Sequence, residues 1–394
     1  MANKSVVAAT NEKVSMYIPD EISFSILSKL PLKSLKRFEC VQKSWSLLFQ
    51  NHHFINMFRN KFLSYNDPSS LILRAVENDY EVFYYFSGEK YENKVKLNWL
   101  NSYEEEEDID CILMFGFGSV NGTLCLHEFV DEGKIVLWNP VTRSINFIPP
   151  SKADLVESFI PAYAKGYVNV CVRSYLHGFG YDHVRNDYKV IRYVYICMES
   201  SGRYNGDLGD WMGKIDFGPL WEIYSLRSNS WRKLHVDMPN SLKCAEGTQV
   251  YVDGVCNWLC EDYKTVGPCL VSFYLSNEAF LVTPIPSDVD DWFGVKASWI
   301  NLAVFNGSVA LITYYKELTV FHISILSEFG AKESWTTLFI VGPLPCVERP
   351  IGVGTKGELF FVRKDNELVW LDLSTQMITK LGYCWNICVK WKEI

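Results

Sequence analysis

Hydrophobic positions change their rhythm once along this chain. From Tyr17 to Phe54 they recur at helical spacing: Ile22, Ile26 and Leu30, then Leu35 and Phe38, then Val41, Trp45, Leu48 and Phe49. Pro19 suits a helix start, because its fixed φ is helical and its missing N–H would have no partner there. Asp20 and Glu21 set negative charge against the positive end of the helix dipole. Pro31 ends that helix by clashing with the preceding turn. The spacing predicts three short helices, with a trailing helix through Phe62. A turn-rich hinge at Asn66-Asp67-Pro68 follows. Beyond it the helical period vanishes and short β-like runs begin, first at Leu71-Ile72-Leu73-Arg74 and Val82-Phe83-Tyr84-Tyr85-Phe86.

From about Cys111 the chain repeats a unit: a strand ending in an aromatic, a polar turn, and a second strand seven residues on. The unit appears at Trp138 … Ile145, Tyr224 … Trp231, Phe273 … Phe280 and Trp370 … Met377. A further copy at Phe321 has a longer turn, Ser327 to Glu333, before Trp335. The anchors Tyr224, Phe273, Phe321 and Trp370 are 49, 48 and 49 residues apart. Upstream of the anchors, Asn121-Gly122, Asp253-Gly254, Asn306-Gly307 and Lys356-Gly357 each separate two β-like runs. Such pairs tolerate the positive φ that a tight hairpin demands. Four strands per unit and a period near 50 predict the blades of a β-propeller, five of them recognisable and with room for a sixth. The unit holding Tyr224 departs from the period. A stretch from Ser151 to Arg173 precedes it, and a glycine-rich insertion runs from Ser200 to Gly218. Both are expected to be loops, where a rigid scaffold carries specificity.

The helical head has more apolar surface than it can use. About 40 residues is near the lower limit for an independent core, yet outward positions such as Ile18, Pro19, Leu30, Pro31 and Leu32 are apolar too. Charge divides the same way. Residues 1–60 hold eight Lys/Arg against four Asp/Glu, and the remainder holds 30 against 42. An acidic body argues against nucleic acid as partner, and a basic head suits docking on an acidic one. No stretch is apolar for the length a bilayer needs, so no membrane association is expected and the chain is expected in the cytoplasm or nucleus.

In order and spacing, Ile18-Pro19-Asp20-Glu21, Leu30-Pro31-Leu32-Lys33-Ser34-Leu35, Arg37-Phe38-Glu39-Cys40-Val41 and Lys43-Ser44-Trp45 resemble an F-box. In the body, Gly118-Ser119-Val120-Asn121-Gly122, Leu137-Trp138-Asn139-Pro140-Val141-Thr142-Arg143 and Gly178-Phe179-Gly180-Tyr181-Asp182 resemble the plant F-box-associated, kelch-like domain. Asn186-Asp187-Tyr188-Lys189-Val190 and Tyr224-Ser225-Leu226 with Ser230-Trp231-Arg232-Lys233 extend that likeness, which covers about residues 14–385. The S-locus F-box proteins of pollen are of the same group. The resemblance implies a mostly β protein: a tail over 1–13, a three-helix F-box over 14–63, a linker with the first β elements over 64–110, and a kelch-like propeller over 111–390. It implies that the F-box docks on a Skp-type adaptor, and through it on a cullin and a RING subunit. Ile18, Pro19, Ile22, Leu30, Pro31, Leu35, Val41 and Trp45 would dock or support docking. The ring would hold an unknown target protein for ubiquitin transfer, acting by proximity. The alternatives are a scaffold without ubiquitin transfer, or a propeller with sugar-binding or oxidase-like activity of its own.

A search for chemistry yields no catalytic residue, metal site or cofactor. None of the seven histidines has a ligand at metal spacing, and His177 and His183 read as parts of a structural hairpin. Cys256/Cys260 and Cys384/Cys388 fall on strand-like segments, where an offset of four puts both side chains on one sheet face as small hydrophobes. Gly352-Val353-Gly354 is a turn, and the glycines of Gly116-Phe117-Gly118 and Gly178-Phe179-Gly180 permit close blade packing. The acids Glu104 to Asp108, and Asp290-Asp291, read as solvated loops. Trp138, Trp231 and Trp370 are core by the repeat. Tyr163, Tyr167, Tyr204, Trp211 and Trp292, in irregular stretches, are the candidates for a target-binding surface.

Overall fold

The computed structural model describes residues 20–384 except for 58–70, 98–111, 129–133, 161–167, 201–217, 236–241, 245–248, 263–266, 286–298 and single or paired positions between them. The chain divides into two units, Met1–Lys61 and Phe62–Ile394.

The first unit carries α1 (Asp20–Leu27) and α2 (Leu32–Phe38). Phe24 and Leu27 of α1 are buried together with Leu35, Leu48 and Phe54. The rings of Phe24 and Phe54 meet edge to face at 5.6 Å, and those of Phe38 and Trp45 at 5.8 Å. Around Val41 to Phe49, where the third helix is expected, the described residues are turns leading into a 3-10 residue, Leu48, and residues 42, 44 and 49 lie outside the described residues. The Ser46 hydroxyl donates to the Lys43 carbonyl at 2.7 Å. Asn51 Oδ1 accepts the Phe54 N–H at 3.1 Å and caps the trailing helical residues.

In the second unit all strand pairs are antiparallel. A three-stranded sheet, β1 (Leu71–Glu77), β2 (Tyr80–Ser87) and β3 (Asn93–Leu97), comes first. The first blade is β4 (Ile112–Met114), β5 (Leu124–Glu128), β6 (Ile135–Asn139) and β7 (Ser144–Ile148). The second is β8 (Val168–Asp182), β9 (Asp187–Ser200), β10 (Gly218–Ser225) and β11 (Ser230–Lys233). The third holds five strands, β12 (Leu242–Cys244), β13 (Val250–Val252), β14 (Val255–Asp262), β15 (Gly267–Tyr274) and β16 (Ala279–Pro284). The fourth is β17 (Trp299–Phe305), β18 (Ser308–Tyr315), β19 (Val320–Leu326) and β20 (Trp335–Val341). The fifth is β21 (Val347–Val353), β22 (Glu358–Arg363), β23 (Glu367–Asp372) and β24 (Ile378–Cys384).

The hairpin signals hold where the turn needs two left-handed residues. Asn121 and Gly122 have φ of 50° and 76°, and Asp253 and Gly254 have 42° and 82°. Phe305 pairs with Ser308, and Gly307 before it has a φ of 72°, while Asn306 lies outside the described residues. At Gly357 the connection is longer, since Val353 pairs with Leu359 and the Gly354 N–H donates to the Glu358 carbonyl; Lys356 lies outside the described residues. The anchors pair as their spacing predicts in three blades: Trp138 with Ile145, Tyr224 with Trp231, and Phe273 with Phe280. In the fifth blade the residue seven before its partner is Leu371, paired with Ile378, while Trp370 faces Thr379 rather than Met377. Trp370 is turned instead to the opposite sheet face, where its ring lies 5.6 Å from that of Tyr91.

That contact belongs to the closure of the ring. Val82, Tyr84 and Phe86 pack with Phe360, Val362 and Trp370 of the fifth blade. Phe83 and Ile72 pack with Leu124, Leu126 and Trp138 of the first. The three-stranded sheet is therefore wedged between the first and last blades. Elsewhere apolar clusters join the first blade to the second, the second to the third, and the third to the fourth. The early strands β8, β13, β17 and β21 approach one another in sequence and line the axis. Gly178 and Gly180 let the second blade come close to the third, as their sequence suggested. A Cβ on Gly180 would lie 2.6 Å from Tyr251 and 2.7 Å from Leu275 of the third blade.

Candidate interaction surfaces and the polar sites of the ring

In the head, α1 buries Phe24 and Leu27 and turns its other face outward. Ile22 is 53% exposed and Ile26, one turn on, 56%. Val41 is 68% exposed, and Leu47 is exposed as well. Leu30 and Trp45 are half-buried, and Leu35 is fully buried. Ile18, Pro19 and Pro31 lie outside the described residues. Ile26 and Leu47 were absent from the expected docking set. The four-residue offset from Ile22 carried the signal for Ile26.

The five aromatics expected at a target surface, Tyr163, Tyr167, Tyr204, Trp211 and Trp292, all lie outside the described residues. The roots of two irregular stretches are described. The part from Ser151 to Arg173 is not all loop: residues 156–159 form a 3-10 turn and Val168 onward is already β8. Ala153, Val156 and Ile160 pack on Val170, Val194, Ile196 and Leu220 of the second blade. Arg192, fully buried in β9, fixes this segment. Its Nη2 donates to Glu222 Oε2 at 2.7 Å, Asp154 Oδ2 at 2.8 Å and Ser151 Oγ at 2.7 Å, and its guanidinium lies 4.1 Å from the Trp231 ring centre. A cation this deep is tolerated because two carboxylates and an aromatic face replace its water.

A second buried charge group sits at the turn between β8 and β9. Lys189 Nζ lies 2.7 Å from Asp182 Oδ2 and donates to the Leu275 carbonyl of the third blade at 3.1 Å. Arg185 Nη1 reaches the same carboxyl at 3.0 Å and the Ser276 carbonyl at 2.6 Å. Burial opposes ionisation of Asp182, but the hydrogen bonds from Lys189 and Arg185 outweigh it and hold its carboxyl at about 2. Alternation in the sequence hid these ions, since both faces of a blade are covered and a charged position reads as an outward one.

Near the axis, a small cleft is lined by Phe115, His177, Phe179, Gln249, Tyr251 and Cys256. His177 hydrogen-bonds through Nδ1 with the Tyr175 carbonyl at 2.8 Å and meets the Trp221 ring edge-on at 4.8 Å, a core role. Tyr251 donates to the Tyr181 carbonyl at 2.8 Å and accepts the Gly254 N–H at 2.9 Å; burial pushes its phenol up. Burial also pushes the Cys256 thiol up. The cleft therefore holds its acids protonated and offers an acceptor, Gln249 Oε1, which is buried without a hydrogen-bond partner. Cys256 and Cys260 share a face of β14 within the apolar cluster, as small hydrophobes do. Among the described residues no three His, Cys, Asp or Glu side chains converge as metal ligands. No described helix is long and apolar enough to cross a membrane.

A family described as the F-box associated beta propeller domain matches residues 73–388. F-box protein CPR1 of Arabidopsis thaliana is 24% identical over 387 residues, covering 92% of this chain and 84% of the relative. An F-box/kelch-repeat protein of the same plant is 25% identical over 346 residues, covering 85% and 82%. Among solved structures, oligogalacturonate lyase from Vibrio parahaemolyticus aligns over 81% of this chain and 76% of its own, at 13% identity and a TM-score of 0.39, a likeness that carries no argument.

Proposed function

Since the chain belongs to the F-box-associated β-propeller family, we propose that it is the substrate-recognition subunit of a Skp–cullin–F-box ubiquitin ligase. Its head, residues 14–63, docks on a Skp-type adaptor and through it on the cullin and RING subunits. Its ring, which the three-stranded sheet from Leu71 closes, captures a target protein. The observation that supports this most is the apolar face left outside a head whose own core is filled. Ile22, Ile26 and Val41 are more than half exposed while Phe24, Leu27, Leu35 and Leu48 are buried. Exposed apolar patches rimmed by polar residues mark partner surfaces. The names of the relatives, F-box proteins over most of this chain's length, agree with that use.

The chain itself supplies no reaction on this reading. It holds the target near a charged ubiquitin enzyme and raises the effective concentration of the target's lysines. It works in the cytoplasm or nucleus, where no membrane or nucleic acid takes part. The target surface is assigned to the irregular stretches that hold Tyr163, Tyr167, Tyr204, Trp211 and Trp292. The test is capture of a purified Skp-type adaptor by the full chain, compared with Leu30→Ala/Pro31→Ala and with Ile22→Asp. Loss of about 2 kcal/mol, some thirty-fold in affinity, is expected for the double variant. Undiminished capture by both variants would overturn the docking assignment.

A further inference from the structure

The second blade carries two cysteines that face each other. In the β8–β9 ladder Cys171 is paired with Cys197, Arg173 with Tyr195, and Tyr175 with Tyr193. Directly opposed residues share a sheet face, with Cα atoms about 4.5 or 5.5 Å apart according to the pair type. A disulfide spans Cα separations of about 4.4–6.8 Å, so a bond here asks for new side-chain rotamers rather than backbone movement. Both residues are half-buried thiols. The Cys197 S–H donates to the Cys171 carbonyl at 3.6 Å, which keeps its sulfur between the two strands.

The face around them is open and cationic. Tyr175 is 37% and Tyr195 41% exposed. The exposed Arg173 follows Cys171 by two residues in β8, so the two lie on one sheet face, and the neighbouring Cys171, Tyr175 and Cys197 raise the Arg173 pKa. An accessible sulfur next to a guanidinium is the setting in which cysteines react. Cys244 also faces a cysteine across a ladder, but that partner, Cys260, is fully buried. Cys260 and Cys269 are also opposed, but both are sealed in the core between the second and third blades. Burial pushes the Cys125 and Cys256 thiols up, and exposed Cys40 is not paired across a ladder with another described cysteine.

We propose that Cys171 and Cys197 are a reversible dithiol–disulfide couple, oxidised by a two-electron thiol oxidant, either a peroxide or a low-molecular-weight disulfide such as that of glutathione. Cys171 attacks first. With glutathione disulfide its sulfur displaces one glutathione thiolate, which takes up the thiol proton. Cys197 then attacks the Cys171 sulfur of the mixed disulfide, expels the second glutathione and gives it its proton. Two protein thiols are oxidised, and one glutathione disulfide is reduced to two thiols. With hydrogen peroxide the Cys171 sulfur breaks the O–O bond to give a sulfenic acid and one water, and Cys197 displaces a second water. The new bond lies three ladder positions from the open end of the β8–β9 pair, which runs from Val168↔Ser200. It ties together the strand entered from residues 161–167 and the strand that leaves into 201–217. An exposed cross-strand bond of this kind is of the readily reduced type.

The experiment uses the full chain, equilibrated in buffers of graded glutathione thiol-to-disulfide ratio, and separately with hydrogen peroxide, then alkylated and mapped by mass spectrometry. A Cys171–Cys197 linked peptide, lighter by two hydrogens and lost again on return to reduced glutathione, is the expected result in both arms. Cys197→Ser should stop at a glutathione adduct on Cys171. Arg173→Gln should slow oxidation several-fold while reaching the same end point, which a purely structural arginine would not do. Alkylation of both cysteines as thiols at every ratio, while Cys40 is modified, would overturn the proposal, as would a linked pair that reduced glutathione leaves intact. An unchanged rate in Arg173→Gln would overturn the assignment of Cys171 and Arg173 as the attacking pair.

Discussion

The fourth blade and the second share a four-stranded plan and are held by different forces. In the fourth, β18, β19 and β20 are seven or eight residues long and interleave Ala310, Ile312, Phe321, Ile323, Ile325 and Leu338, all buried. Its deepest polar side chains, Asn301 and Thr313, are uncharged. In the second blade β8 and β9 run to 15 and 14 residues, and Asp182, Asp187, Lys189, Arg192 and Glu222 are all buried. Apolar packing is non-directional and suffices to stack one sheet on the next. Ion pairs are directional. They add little net stability over an apolar equivalent, but they specify one arrangement. The two ion groups do different work: Arg192 holds residues 151–154 against the blade, and Lys189 and Arg185, at the β8–β9 turn, hold the neighbouring blade at Leu275 and Ser276. The regular blade stacks by packing alone; the charged one fixes its preceding segment and its neighbour in place.

The hardest blow to that contrast is removal of the central cation. Arg192→Met would leave Glu222 buried beside Asp154 with no cation to answer them, and should cost about 4 kcal/mol in a denaturant titration. The paired change Arg192→Met/Glu222→Leu should recover part of the loss, because it removes an orphaned charge along with its partner. A single-variant cost below about 1 kcal/mol would mean that the second blade is held by packing like the fourth.

Next comes pH. The folded carboxyl of Asp182 lies at about 2, below the ordinary value of 3.8 that it takes when unfolded. A depressed carboxylate contributes stability that is present above pH 4 and is lost as pH falls toward 2. Asp182→Asn should therefore cost about 2 kcal/mol at pH 7, and the gap from wild type should narrow between pH 4 and 2.5. Denaturant midpoints of both proteins across that range decide the matter. A gap that stays constant would show that shape, not charge, is what Asp182 provides.

The regular part of this design is the part that a sequence displays. Asn121-Gly122 and Asp253-Gly254 announce turns because backbone stereochemistry leaves few residues able to occupy them. The anchors at Trp138, Tyr224 and Phe273 announce strands for the same local reason. What was hidden depends on distant partners. Nothing near Tyr84 or Phe86 says that they seal a ring against Phe360 and Trp370, almost 300 residues later. Lys189 and Arg192 look like outward positions until Asp182, Glu222 and Asp154 are seen around them. The exposed apolar face of α1, Ile22 with Ile26, was visible, since four-residue spacing on a helix is local as well.

The gentlest test reverses sign and sits in the regular blade. The turn from β18 to β19 ends at Thr319, and that from β22 to β23 ends at Asn366. Both are left-handed, with φ of 53° and 64°. Both donate their N–H three residues back, Thr319 to the Lys316 carbonyl and Asn366 to that of Arg363. The backbone asks the same of each residue, but a β-branched side chain is far less at ease there than asparagine. The Thr319 carbonyl, which accepts the Leu344 N–H at 2.7 Å, is indifferent to the side chain. Thr319→Asn should therefore stabilise the ring by about 1 kcal/mol or less, read as a small rise in melting temperature. It should do so without altering the pH dependence that Asp182 imposes, because the fourth blade relies on no buried charge. A pH-dependent gain would mean that the two blades are energetically coupled, and the division of labour between them would have to be redrawn.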